Sequence, residues 1–174
     1  MLIDIGYGFM TALVPINATM INCKLMEDVF TIGEEIKLLV LSGVKETGGT
    51  KITVTHKELL GTFEQNASLF KQGQRLWGRV FDVQEWGTFV QLTANTLGLT
   101  LNADTSVEQG QAVLVEICGI KVPSNKIQVQ ILGRGKDDQT VKITKQYFTE
   151  GVDFHTLKQW KYSSKRSSDL TRSM

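Results

Sequence analysis

Hydrophobic and polar residues alternate with a period of two along most of the chain, the pattern of strands that bury one face. It predicts strands at "LIDIG", "TALVPI", "IKLLVLSG" and "KITVT" near the start. Five more follow at "RLWGRVFDV", "TFVQLT", "LGLTL", "AVLVEICGI" and "KIQVQIL". Turn-forming segments such as "ETGGT", "TANT", "VEQGQ" and "VPSNK" separate them. One segment departs from the pattern. "THKELLGTFEQNASLF" spaces Leu59, Leu60, Phe63, Ala67 and Phe70 at near-helical intervals, with Thr55 as a candidate cap and Gly61 as a kink.

Within "WGTFVQL", residues 86–92, the alternation raises a question. Val90 and Leu92 fall on one face of the strand, which leaves Phe89 on the other with Gln91. An aromatic ring on the polar face is unexplained by the core and points to a surface role.

The strand patterns also repeat. "GEEIKLLVLSGVKETGGTKITVT" and "GQAVLVEICGIKVPSNKIQVQIL" each run glycine, alternating strand, polar turn, Lys-Ile and a second strand. Upstream, "LIDIGYGFMTALVPI" parallels "TFVQLTANTLGLTLN". Two copies of one small all-β unit follow, and a closed five-stranded barrel is the economical form of such a unit. The second copy has a first strand, "RLWGRVFDV"; the first copy has no counterpart to it, which predicts an N-terminally shortened form or a piece of a longer protein.

Composition narrows the classes. The chain's 174 residues suffice for one ordinary domain or two small ones. No run approaches the ~18 apolar residues of a membrane span, and "MLIDIGYGFM" lacks the basic and apolar regions of a signal peptide. Cys23 and Cys118 stand apart in apolar settings, which predicts reduced thiols and a cytoplasmic location. Net charge is −3 over residues 1–68, zero over 69–133 and +4 over 134–174, an asymmetry that favours a polyanion near the basic end or leaves a solvated tail. From Ser163 onward, "SSKRSSDLTRSM" is nearly free of apolar residues and predicts disorder.

"GRVFDVQEWGTFVQL" followed by "LGLTLN" resembles the S1 RNA-binding domain, the repeated unit of ribosomal protein S1. Trp86-Gly87-Thr88-Phe89-Val90, Gly98-Leu99 and Lys126-Ile127 stand where that family has aromatic-Gly-x-Phe-Val, Gly-Leu and a Gly-Arg/Lys-Ile strand. "VTHKELLGTFEQNASLF" and "QYFTEGVDFHTLKQWKYS" resemble a group of S1-like proteins of clostridial-type bacteria. The resemblance implies an oligonucleotide-binding (OB) barrel whose exposed face stacks RNA bases. It implies RNA-binding roles for Phe89, Trp86, Arg79, Lys126, Arg75 and Lys121, with little sequence specificity. Leu101 replaces the family's histidine, and the acidic residue expected near Lys121 and Val122 is absent. In the first copy Leu2 replaces the phenylalanine and Pro15 the histidine, while Lys51 keeps the cation. The alternative for Trp86 and Phe89 is packing at the barrel end or on the first copy; for Arg79 and Lys126 it is plain solvation.

Other residues carry weaker expectations. Trp77 is expected to pack between barrel and linker helix, and His56 to cap or decorate that helix. Tyr147, Phe148 and Trp160 are expected to pack in a hairpin on the second unit. Tyr7 and Phe9 fall in an exposed turn, and Asp137-Asp138 in a solvated loop. Neither His56 nor His155 has a partner at metal-ligand spacing, and no phosphate loop or nucleophile elbow occurs. No enzymatic activity, metal or cofactor is therefore expected.

The sequence thus predicts an all-β chain of two tandem five-stranded OB-fold barrels of S1 type, the first lacking its first strand. Residues 1–54 form the incomplete unit, 55–70 a linker helix, 71–133 the complete unit, 134–162 a C-terminal β-hairpin extension and 163–174 a disordered tail. The expected function is single-stranded RNA binding linked to translation or RNA metabolism, with the ribosome or RNA-processing proteins as further partners and no membrane. The rival readings are an adapter that docks on such an assembly with little RNA affinity, and a structural piece of a longer protein.

Overall fold

A computed structural model describes residues 1–5, 10–19, 21, 26–46, 49–101, 106–136, 139, 141–150, 159–162 and 170–173. Tyr7, Phe9, Cys23, Asp137, Asp138 and His155 lie outside the described residues. The chain is mostly strands. In order they are β1 (Leu2–Asp4), β2 (Met10–Ala12), β3 (Leu39–Glu46) and β4 (Gly49–Thr55), then α1 (Phe63–Ala67). The middle holds β5 (Arg75–Gln84), β6 (Gly87–Thr93), β7 (Thr96–Thr100), β8 (Ala112–Lys121) and β9 (Lys126–Arg134). Finally come β10 (Gln159–Tyr162) and β11 (Leu170–Ser173).

Strands β5 to β9 close a barrel in the order β5-β6-β7-β9-β8. All neighbours are antiparallel except β7 and β9, which run parallel with Gly98 opposite Ile127. Closure removes every free edge. The inward residues predicted by alternation fill the interior: Val80, Val90, Val113, Val115, Ile117 and Ile127 are each no more than 1% exposed. Each such side chain contributes roughly 1.5–3 kcal/mol of burial. Two glycines face inward because the barrel is narrow. A Cβ on Gly98 would lie 2.6 Å from the Val129 side chain, and one on Gly78 2.6 Å from that of Val90.

The first half shows two antiparallel ribbons, β1-β2 and β3-β4, rather than a closed barrel. β2 lies against β4, where the Thr11 hydroxyl donates to the Ile52 carbonyl at 2.5 Å. The resulting order, β1-β2 beside β4-β3, is that of β6-β7-β9-β8. No described strand takes the place of β5, so a second complete barrel is not observed.

The predicted linker helix divides at Gly61, whose φ of 73° is outside the right-handed helical region. A 3-10 turn, Lys57–Leu60, precedes it and α1 follows. Thr62, not Thr55, caps α1: its hydroxyl accepts from the Gln65 amide while the Gln65 side chain returns to the Thr62 amide. Thr55 instead donates its hydroxyl to the Glu58 carboxylate.

Residues 141–148 do not form the predicted strand. They run as an irregular strap from the barrel to the first half. The Ala94 amide donates to the Thr144 carbonyl at 3.0 Å, and the Phe148 amide to the Leu59 carbonyl at 2.8 Å. Ile143 and Ala94 join Leu13, Val54 and Phe30 in a second core, separate from the barrel interior. Near the C-terminus β10 pairs with β11, Gln159 opposite Ser173, which is a different pairing from the hairpin expected within 134–162 and places a strand at Leu170–Ser173 in the segment expected to be disordered. Among the described residues no helix is long and apolar enough to cross a membrane.

Candidate nucleic-acid interface

The outer face of the barrel answers the question posed by "WGTFVQL". Phe89 pairs with Leu99 on one side and Asp82 on the other, and Leu99 lies opposite Gln128. Partners in register share a face, so Asp82, Phe89, Leu99 and Gln128 form one outward row. The next row toward the barrel end holds Lys121 and Lys126, which face each other across β8 and β9. Trp86 sits in the β5–β6 turn above Phe89.

Gly87 lets this corner close. A Cβ there would collide with the Thr100 carbonyl oxygen on the neighbouring strand. With no side chain in the way, the Trp86 ring meets the Phe89 ring edge to face, centroids 5.5 Å apart and planes at 89°. Trp86 is 56% exposed and Phe89 half-buried, so both rings reach solvent while bracing each other. Next to them Leu99, Leu101, Lys121, Lys126 and Gln128 line a shallow cleft of about 150 Å³, floored by Ile127. An apolar floor flanked by two exposed ammonium groups suits a flat, anionic ligand.

Four of the six predicted residues, Trp86, Phe89, Lys121 and Lys126, therefore converge on one surface. Arg79 is half-buried on the same sheet, opposite Gln91 rather than Phe89. Gln91 follows the outward parity yet is only 2% exposed, so the open part of the face stops at Phe89. Arg75 lies on the β5–β8 flank, where its Nε donates to Glu116 at 2.7 Å. That ion pair turns Arg75 away from the cleft. Leu99 and Gln128 are not among the predicted contacts; the β6–β7 register sets Leu99 beside Phe89, and the parallel β7–β9 register, invisible in the linear pattern, adds Gln128.

Several other expectations change place. Trp77 is 41% exposed on the outside of β5, opposite Leu114, and does not pack under the linker. His56 is fully buried and its side chain caps nothing. Its Nδ1 is 2.7 Å from the Ala18 carbonyl, which can only accept, so Nδ1 carries the proton. Nε2 then accepts from the Tyr147 hydroxyl at 3.1 Å. Burial pushes the His56 pKa below its usual 6.5. Tyr147 and Phe148, expected in a hairpin on the second unit, lie elsewhere: Tyr147 packs against the second core and His56, and the Phe148 ring lies beside Gly61 of the linker. The strap's Lys145, beside the ring of Phe30, forms an ion pair with Glu34 at 2.7 Å and is withdrawn from any ligand.

No family model matches the chain, and no curated protein matches it either. Among solved structures it is similar to the uncharacterized protein MJ1198 from Methanocaldococcus jannaschii. That match has 16% identity and a TM-score of 0.33, and spans 35% of this chain and 90% of the other.

Proposed function

We propose that the protein binds single-stranded RNA on the outer face of its barrel, as a protein of S1 type. The observation that carries this reading is the exposed Trp86–Phe89 pair beside a cleft flanked by Lys121 and Lys126. Aromatic rings stack on any base, each worth about 1–3 kcal/mol, while ammonium groups neutralise phosphates without reading sequence. The barrel order β5-β6-β7-β9-β8 is compatible with an OB barrel, and the first half repeats four of its five strand positions. That half is an OB-type unit short of one strand, and it contributes geometry more than affinity, given its net charge of −3 over residues 1–68. A place in translation or RNA metabolism, in the cytoplasm, is part of the same proposal, as is the absence of catalysis.

The test is a titration of the protein with oligo-U, read by tryptophan fluorescence at two salt concentrations. Phe89→Ala and Trp86→Ala should each weaken binding about 5- to 100-fold, and affinity should fall steeply with salt. Unchanged affinity in both variants overturns base stacking on this face and leaves the adapter reading.

A further inference from the structure

The surface around Phe89 is charged unevenly. On the β9 side stand the ammonium groups of Lys121 and Lys126. On the β5 side the outward row of Phe89, Leu99 and Gln128 ends in a carboxylate, because Asp82 is the direct cross-strand partner of Phe89. Such partners hold their Cβ atoms about 5 Å apart, so the half-buried Asp82 lies at the side of the Phe89 ring. Glu85, in the adjoining turn, is exposed and acidic as well.

Asp82 owes this place to a bulge. The register of β5 against β6 shifts between Val80 and Asp82, and Phe81 is the extra residue. Continued without it, the pairing of Val80 with Val90 would set Phe81 opposite Phe89 and turn Asp82 inward, opposite Thr88. Bulges re-aim side chains in this way. The carboxylate is also held in orientation: Gln84 Nε2 donates to Asp82 Oδ2 at 2.6 Å. A carboxylate has about four acceptor positions, so the bond from Gln84 fixes the group and leaves acceptor capacity on both oxygens.

We propose that Asp82 makes this face selective for guanine at the nucleotide stacked on Phe89, a reading that rests on RNA binding by the same face. A carboxylate only accepts hydrogen bonds. Among the RNA bases guanine alone presents two adjacent donors on its pairing edge, N1–H and N2–H, which meet the two carboxylate oxygens as a fork. Charge-assisted bonds of this kind are stronger than neutral ones. Uracil offers a single N3–H between two carbonyl oxygens, which the carboxylate repels. Cytosine and adenine each set one amino donor beside a ring-nitrogen acceptor. The charges orient the strand too. Phosphates are drawn to Lys121 and Lys126 and kept from Asp82 and Glu85, so the base edge faces β5 and the backbone faces β9. From β5 to β9 the row spans three strand spacings, roughly 14 Å, which leaves room for a base at one end and its phosphate at the other. Contacts elsewhere along the strand stay indifferent to sequence.

The test measures binding of the full chain, by fluorescence anisotropy, to labelled oligo-U and to the same oligonucleotide with one central residue replaced by guanosine, inosine or adenosine. Adenosine is the control for purine stacking. The guanosine probe should bind about 5- to 20-fold more tightly than the adenosine probe, the lower part of the range for a bidentate base contact because Asp82 is only half-buried. Inosine, which lacks the N2 amino group, should bind at least about threefold more weakly than guanosine. Asp82→Asn should reduce the preference for guanosine over adenosine to about twofold or less. Its affinity for oligo-U should be unchanged or higher, since a negative charge has left the face, and that retained affinity shows the variant to be folded. The inosine comparison needs no variant. Equal binding of the guanosine and adenosine probes, equal binding of guanosine and inosine, or a preference that survives Asp82→Asn overturns the proposal and leaves base stacking in place. Unchanged oligo-U affinity in both Phe89→Ala and Trp86→Ala is the separate failure of the stacking reading, and it removes the base on which Asp82 would act.

Discussion

Tyr147→Phe isolates the contact that fastens the strap to the first half. The hydroxyl donates to Nε2 of the fully buried His56 at 3.1 Å and accepts from the Lys37 amide at 3.3 Å. Phenylalanine keeps the edge-to-face ring contact with His56, whose centroid is 5.5 Å away, and removes only the oxygen. The Lys37 amide lies at the exposed side and water replaces its acceptor. Nε2 has no such recourse, because its other neighbour is the Phe30 ring at 5.0 Å. Leaving a buried acceptor unpaired costs about 1–3 kcal/mol. A loss of about 2 kcal/mol in a chain of this size lowers Tm by roughly 4–8 °C. Urea denaturation followed by circular dichroism measures it directly, and the slope against urea should not change. A loss below about 0.5 kcal/mol would refute the coupling between strap and His56, and a changed slope would show a loosened native state instead of one lost bond.

The same cluster sets an acid limit. Burial first, and then the Lys145 ammonium, depress the His56 pKa, against the Ala18 carbonyl, Glu34 and Glu58, which favour the charged form. The unfolded chain therefore binds a proton near 6.5 that the folded chain refuses, so stability is complete above pH 6.5 and declines as pH falls below it. His56→Gln should flatten that decline, which denaturation at pH 7.5, 6 and 5 would reveal. Burial alone would raise the Glu34 carboxyl, but the Lys145 ammonium and the Thr31 amide outweigh it and hold it below 4.5. A second decline should accordingly begin as pH falls through about 4.5, and Lys145→Met should weaken it. At the barrel, Gly98→Ala forces a methyl against Val129 and should cost about 1–3 kcal/mol in the same denaturation assay. Gly87→Ala drives its Cβ into the Thr100 carbonyl and should disturb the Trp86–Phe89 corner, lowering oligo-U affinity as Phe89→Ala does. Arg75→Ala, by contrast, should leave that affinity within about twofold, since Arg75 is paired with Glu116 away from the cleft.

All five barrel strands were legible in the alternation, because a closed barrel buries one face of each strand and the period of two records that directly. Phe89 on the wrong face was legible for the same reason. The short helix was less so: near-helical spacing suggested one element, but the positive φ at Gly61 splits it and moves the cap to Thr62. The strap lies within the segment 134–162 expected to form a hairpin, yet it is no strand, because its residues are held one by one, Ile143 in the core, Lys145 by Glu34 and Tyr147 by His56. Local pattern cannot distinguish burial by a sheet from burial by scattered partners.

What the sequence determined by itself was local: which side chains of the barrel strands face inward and where turns fall. These follow from backbone periodicity and residue chemistry within a few positions. Tertiary structure decided which neighbours the outward residues meet. The antiparallel β6–β7 pairing sets Leu99 beside Phe89, the parallel β7–β9 pairing adds Gln128 next to Leu99, and Glu116 captures Arg75. The last two depend on contacts between segments far apart in the chain, whose register is set by packing and not by local preference.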